Sequence, residues 1–278
     1  MFRHFTLLLL CASLVATAHA GFDEGQAAYD KKEYAQALKQ WQPLADKGNA
    51  RAQNSLGDLY ALGRGVAADQ AQAALWYGKS ARLGLALGQY HYGLLLESGQ
   101  GVRQDDAEAF VWYQKAAEQG YAKAQNRVAN MYAHGVGVAQ DYTQAISWYH
   151  KAGAQGLADA QIGLAFMYVM GNGVEQNYGK ALVLYRKAAE QEQPFAENML
   201  GYMYAEGLGV RQDYAQALVW RRKAAEQDLP EAQFDLGSMY EKGLGVTQDY
   251  VKAVELYRRA EVQGFAPAKE SLDRFLNK

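Results

Sequence analysis

Three histidines and a pair of adjacent carboxylates are the side chains of this sequence that could do acid–base or metal chemistry. Beyond residue 20 the histidines are His91, His134 and His150, and no Glu or His stands near them at the spacing of a metal-ligand pair. Asp105 and Asp106 are adjacent, but helix capping and solvation are sufficient explanations for both. We therefore expect structural or exposed histidines, and no catalytic residue, metal ion or cofactor.

A Gly-x-Gly motif is the other candidate for chemistry, because such motifs bind dinucleotide phosphates in some folds. The first copy, at Gly63 and Gly65, has neither a preceding strand pattern nor the third glycine of a dinucleotide-binding loop. The motif also recurs six times at regular spacing. We interpret it as a turn that connects helices.

The charged residues indicate neither a nucleic-acid partner nor an anionic membrane. The chain of 278 residues has 28 Lys and Arg against 30 Asp and Glu, a formal net charge of -2, with both signs interspersed. Phosphate binding requires concentrated Lys and Arg, which this sequence lacks. After the N-terminal segment, no stretch is apolar over the roughly 20 residues that a membrane-spanning helix needs.

The first twenty residues have the pattern of a secretory signal peptide. Arg3 supplies a positive charge, an apolar stretch follows from Phe5 to Val15, and Ala18-His19-Ala20 is an A-x-A cleavage site. We predict cleavage after Ala20 and a periplasmic or secreted protein.

The single cysteine, Cys11, lies inside this apolar stretch. It would leave with the signal peptide, so the mature chain would have no thiol, disulfide or Cys-containing zinc site. Lipidation of Cys11 is an alternative, although Leu8-Leu9-Leu10 is a poor lipobox.

A repeat of 36 residues organises the rest of the chain. Glycines, a Gly-Val pair, an alanine and an aromatic pair all recur at this interval without insertion, and self-similarity at a fixed period is typical of solenoids. The sequence predicts an all-α fold, a right-handed α-solenoid of stacked antiparallel helix pairs with a 36-residue period. The first glycine of each copy is Gly63, Gly99, Gly135, Gly171, Gly207 and Gly243.

Each repeat is predicted to contain two helices. The first, for example Ala52 to Leu62, ends at a glycine that can take positive φ. An aspartate then caps the second helix by accepting hydrogen bonds from its free amides. The predicted caps are Asp69, Asp105, Asp141, Asp213 and Asp249.

We predict the following organisation of the chain. Residues 1–20 are the signal peptide, and residues 21–278 form one repeat solenoid with atypical ends that cover its core. Its parts are an N-terminal cap at 21–53, repeats at about 54–89, 90–125, 126–161, 162–197, 198–233 and 234–265, and a closing helix at 266–278.

The repeat resembles the Sel1-like family, whose pattern is A-x-x-x-L-G-x-x-Y-x-x-G-x-G-V-x-Q-D-Y-x-x-A-x-x-W-Y-x-K-A-A-x-x-G. Residues 201–225 match it closely, and the resemblance covers essentially all of the chain after residue 20. In the third and fourth repeats the glycine of the Leu-Gly pair is Ala129 and Ala165, a change that helices accept.

The resemblance implies a non-catalytic scaffold or adaptor that holds a protein or peptide partner in the bacterial cell envelope. Other relatives are immunity proteins that neutralise toxic effectors, and this remains an alternative. Cysteine-rich relatives are linked to binding or hydrolysing β-lactams. This alternative is weaker because the mature chain lacks those cysteines.

The first helices of stacked pairs are predicted to line a concave face, with the side chains not used in stacking pointing into the groove. These positions vary between repeats. The candidate partner-binding residues are Tyr90, Asn126, Asn130, Ile162, Phe166, Phe195, Asn198, Tyr202 and Phe234. Exposed apolar side chains in a contiguous patch usually mark an interaction site. The alternative is that several of these rings pack between helices as ordinary core.

Overall fold

The computed structural model describes residues 21–276, and every regular element among them is an α-helix. The described residues form two compact units, one that ends at Asp141 and one that begins at Tyr142, and each is described by itself. None of the described helices is both long and apolar enough to cross a membrane. The predicted signal peptide lies outside the described residues.

The first unit contains the N-terminal cap and the first helix pairs. Residues 21–30 are helical and are labelled α1. The helices that follow are α2 (Tyr34–Asp46), α3 (Ala50–Leu62), α4 (Gln70–Arg82), α5 (Ala86–Ser98), α6 (Asp106–Glu118) and α7 (Ala122–His134).

The second unit continues the same alternation. Its helices are α8 (Tyr142–Ala154), α9 (Ala158–Met170), α10 (Tyr178–Ala189), α11 (Pro194–Glu206), α12 (Tyr214–Glu226), α13 (Pro230–Lys242), α14 (Tyr250–Val262) and α15 (Ala266–Leu276). We call α3, α5, α7, α9, α11 and α13 the first helices, and α4, α6, α8, α10, α12 and α14 the second helices. Within each unit, consecutive helices pack against each other.

Most of the described helix ends lie at the residues that the sequence predicts. Gly63 ends α3 with a φ of 64°, in the left-handed region that favours glycine. Aspartate side chains accept hydrogen bonds from free backbone amides at the starts of four second helices, at Asp69, Asp105, Asp213 and Asp249. Asn177 does the same for α10, although the sequence analysis predicted no cap there.

The helix bounds differ slightly from the predicted ones. The helix α3 begins at Ala50 rather than Ala52, so the repeat boundary predicted at residue 54 falls inside it. The closing helix predicted at 266–278 is α15, which begins at Ala266.

Close packing explains why glycine lies inside first helices. A Cβ atom on Gly93 would lie 2.6 Å from the ring of Tyr113, which crosses from the second helix of the same repeat. The second glycine of each Gly-x-Gly turn approaches the preceding repeat instead. At Gly209, where φ is 67°, a Cβ atom would lie 2.5 Å from the backbone carbonyl carbon of Tyr178. Glycine therefore allows a close approach at Gly93 and at Gly209.

The recurrent tryptophans are not uniformly buried. Trp76 and Trp148 are buried, whereas Trp112 and Trp220 are only half-buried. In each of these repeats a lysine three residues later covers the ring, with its ammonium 3.8–4.6 Å from the ring centroid. The rings thus fill helix contacts on one side and hold a cation–π contact on the other.

Buried glutamines join five of the six first helices to the helix before them. Near the start of the first helix, each glutamine donates from Nε2 to a carbonyl eight residues earlier, at 3.0–3.5 Å. Three of these glutamines also accept a hydrogen bond, each from a different glutamine at the end of the second helix that follows. The three acceptors are Gln89, Gln161 and Gln233. We call this arrangement the glutamine ladder. Its members on the first helices are Gln53, Gln89, Gln125, Gln161 and Gln233.

Candidate partner-binding face

One face of the first helices in the second unit carries most of the predicted binding residues. Positions i, i+3, i+7 and i+11 lie on one side of an α-helix. We call the residues at these positions the second-unit face. They are Asp159, Ile162, Phe166 and Met170 of α9; Phe195, Asn198, Tyr202 and Glu206 of α11; and Glu231, Phe234, Ser238 and Lys242 of α13.

Three of the predicted aromatic residues are exposed on this face. Phe166, Phe195 and Tyr202 expose 42%, 46% and 41% of their surface, and Met170 beside Phe166 exposes 54%. Side chains of this size are usually buried in a core. Several exposed together indicate a surface that can bury apolar area against a partner.

The remaining predicted residues of the second-unit face are covered by neighbouring helices. Ile162 is half-buried beside the core of α9, α10 and α11. Phe234 is also half-buried, with its ring centroid 5.4 Å from those of Tyr257 and Phe265. At Phe234 the ring packs between helices, as the alternative interpretation expected.

Asn198 is buried rather than open to a groove. It is 8% exposed and donates from Nδ2 to Oδ2 of Asp235 at 3.2 Å. Burial raises the pKa of Asp235, while Arg221 and Asn198 oppose this shift. The guanidinium of Arg221 lies 3.7 Å from the Asp235 carboxylate and replaces the tyrosine that five other repeats have at this position. An ion pair between a buried arginine and a half-buried aspartate therefore joins α12 and α13, and the Asn198 hydrogen bond joins α11 to them.

The predicted residues of the first unit are half-buried. The ring of Tyr90 contacts Tyr113 and Tyr121, at centroid distances of 5.8 and 5.1 Å. Asn126 and Asn130 lie on α7, and the buried Oδ1 atom of Asn126 has no hydrogen-bond partner. The structure thus places all three on first helices but leaves less of them exposed than Phe166 or Phe195.

A polar network in the first unit was not predicted from the sequence. Tyr77 donates its hydroxyl to Oδ1 of Asp58 at 2.7 Å, and Asn54 donates to Oδ2 at 3.2 Å. Nδ1 of His91 lies 2.9 Å from Oδ1 of Asn54. Burial raises the pKa of Asp58 and lowers that of His91. The one sign of this network in the sequence is that Asp58 lies on a first helix, 19 residues before Tyr77.

This network is accounted for by packing. Both Asp58 oxygens accept hydrogen bonds, and the network contains no serine or cysteine that His91 could activate as a nucleophile. The described residues contain no group of three or more His, Cys, Asp or Glu side chains that could hold a metal ion.

The same tyrosine position shows where the fourth repeat differs. Tyr113 donates to Glu97 and Tyr257 donates to Glu241, each at 2.6 Å. Tyr185 is fully buried, and its hydroxyl has no hydrogen-bond partner. Val169 occupies the repeat position of Glu97 and Glu241. Apolar residues thus replace the polar partners in the repeat that carries Phe166.

The Sel1 repeat family matches this chain six times, at residues 50–85, 86–121, 122–157, 158–192, 194–229 and 230–264. The chain belongs to the Sel1 repeat family. Its members are typically protein-interaction scaffolds. No curated protein matches the chain.

Two solved structures are similar over most of the chain. One is c5321, a protective antigen present in uropathogenic Escherichia coli strains displaying an SLR fold, with 35% identity and a TM-score of 0.84. The match covers 98% of this chain and 59% of that one, so this chain spans about three fifths of its length. The other is a Sel1 repeat protein from Oxalobacter formigenes, with 32% identity, a TM-score of 0.81, and coverage of 86% of this chain and 96% of that one.

A more distant structure, the immunity protein PA5088 from Pseudomonas aeruginosa, has 19% identity and a TM-score of 0.52. It covers 73% of this chain and 81% of that one, and shows the fold alone. These similarities confirm the predicted family and the all-α solenoid of helix pairs.

Proposed function

We propose that this protein is a non-catalytic scaffold that binds another protein through the second-unit face. The observation that carries the proposal is the exposure of Phe166, Phe195 and Tyr202 on neighbouring first helices of a Sel1 repeat protein. Aromatic anchors surrounded by polar residues are typical of the centres of protein interfaces. This is the face that the sequence predicts to be concave.

We also propose that the scaffold works in the bacterial cell envelope, in the periplasm or after secretion. The support is the sequence pattern of the first twenty residues. Intact mass of the exported protein tests this part. A chain that begins at Gly21 agrees with it, whereas a chain that retains Met1 or carries a lipid on Cys11 contradicts it.

The binding face is tested by removing its rings without disturbing the core. The double variant Phe166→Ser and Tyr202→Asn should lose partner capture from an envelope extract while keeping its thermal unfolding midpoint. The matched control is Val183→Ser with Val219→Ser, because these residues are similarly exposed, at 55% and 47%, but lie on second helices.

The control variant should capture the partner as the wild type does. Equal capture by the ring variant and the wild type contradicts the proposed face. Equal losses in the ring variant and the control contradict it as well, because they would show that any exposed apolar residue contributes.

A further inference from the structure

The second-unit face combines exposed rings with exposed carboxylates. The first of the four face positions is Asp159 on α9, Phe195 on α11 and Glu231 on α13, and all three residues are exposed. Neither carboxylate forms an ion pair within the described residues. These three residues occupy the same repeat position on three successive first helices. A partner that crosses the three helices therefore meets a carboxylate, a ring and a second carboxylate in turn.

The exposed charge on this face is mainly negative. A third carboxylate, Glu206, is exposed at the last face position of α11. Lys242 is the one exposed cation among the residues of the second-unit face. The guanidinium of Arg221 is buried beneath the face and lies against Asp235. It therefore does not offset the exposed carboxylates.

The equivalent positions in the first unit have the opposite charge. Arg51 and Lys123 stand at the repeat positions of Asp159 and Glu231, and Leu87 between them is half-buried. The combination of exposed rings with exposed carboxylates is therefore a property of the second unit and not of the repeat. Repeat geometry alone does not require it.

We propose that the second-unit face binds a protein segment that is both basic and apolar, with Lys or Arg on either side of a large apolar side chain. This rests on the proposed function and names the chemistry of its partner. A polyproline II segment rises about 3.1 Å per residue with three residues per turn, so every third side chain points the same way about 9 Å further on. Such a segment can therefore present a basic, a large apolar and a second basic side chain on one side, in the order of Asp159, Phe195 and Glu231. Because charges of opposite sign meet on both sides of the apolar contact, the face should bind such a segment more tightly than an acidic one.

A synthetic peptide tests the inference directly. The probe is a short fluorescein-labelled peptide that repeats Lys-Ala-Pro-Leu-Ala-Pro, and its binding to the protein is measured by fluorescence anisotropy up to about 1 mM peptide. One comparison peptide has Glu in place of every Lys, and another has Ser in place of every Leu. The Lys–Leu peptide should bind at least about fivefold more tightly than either, since each exposed charge contributes modestly.

Charge reversal on the protein provides the second arm. The double variant Asp159→Lys with Glu231→Lys should bind the Lys–Leu peptide about fivefold more weakly than the wild type does. It should bind the peptide with Glu in place of Lys more tightly than the wild type does. The control is Glu175→Lys with Glu190→Lys, which changes the net charge equally at exposed sites of the second unit outside the face. The control should leave both affinities within about twofold of the wild type.

Three results would overturn the inference. They are absence of Lys–Leu binding, equal affinity for the acidic peptide, and equal weakening by the two charge reversals. If any of these occurs while Phe166→Ser with Tyr202→Asn still abolishes partner capture, the proposed function stands and the basic partner is wrong. If partner capture also persists in the ring variant, the proposed function fails as well.

Discussion

Glu197 is expected to weaken the protein at neutral pH because it replaces a glutamine of the ladder. It is 3% exposed and accepts a hydrogen bond from Nε2 of Gln227 at 2.7 Å. At the same repeat position, Gln161 donates to the carbonyl of Gly153 at 3.3 Å. A carboxylate cannot donate, so the corresponding carbonyl of Ala189 receives no such bond. Burial raises the pKa of Glu197, with Lys223 and Gln227 opposing the shift.

Substituting Glu197→Gln should therefore raise the free energy of unfolding by about 1 kcal/mol at pH 8, the value of one restored hydrogen bond. The gain should depend on pH. Below the ordinary carboxyl pKa of 4.5 the glutamate is protonated in both the folded and the unfolded chain and can itself donate. As pH rises through the higher pKa of the folded state, the wild type loses this stability and the variant does not.

Urea unfolding of both proteins at pH 4 and pH 8 measures the effect, because the pH responses of all other groups cancel in the difference. The matched converse is Gln161→Glu in the preceding repeat, which should lose a similar free energy at pH 8 and recover it at pH 4. A Glu197→Gln variant that is no more stable than the wild type at pH 8 would refute the reasoning. So would a gain of the same size at both pH values.

Substitutions at four further positions test the packing and a helix cap by urea unfolding. Tyr185→Phe should stabilise the protein by about 1 kcal/mol because its buried hydroxyl has no partner, whereas Tyr113→Phe should destabilise it by about 2 kcal/mol because its hydroxyl donates to a carboxylate. A change of the same sign in the free energy of unfolding for Tyr185→Phe and Tyr113→Phe would contradict this reasoning. Asp213→Ala should cost about 1 kcal/mol by removing a helix cap, and Asp213→Asn, which can still cap, should cost much less. Trp148→Ala should cost about 3–5 kcal/mol as a buried large-to-small change, and a loss below about 1 kcal/mol would mean that the ring is not part of the core.

The sequence was sufficient to predict the helices, their ends and the family, because these depend on residues close to one another. Gly63 ends a helix through its own backbone freedom, and Asp69 caps the next through amides two and three residues later. The 36-residue period then predicts that helix pairs repeat and stack. The sequence does not show that the Tyr113 ring lies against Gly93.

The sequence also predicted which helices carry the candidate face, but only the tertiary structure decided which of its residues are exposed. Phe166 and Phe234 both belong to the second-unit face, at different positions of the repeat; Phe166 is exposed, whereas Phe234 packs against rings 23 and 31 residues later. Asn198 is buried because Asp235, from the next first helix, accepts its hydrogen bond. Repeat spacing determines where a side chain starts on its own helix. Its burial and hydrogen bonding depend on side chains that neighbouring repeats bring within contact distance, and those differ from one repeat to the next.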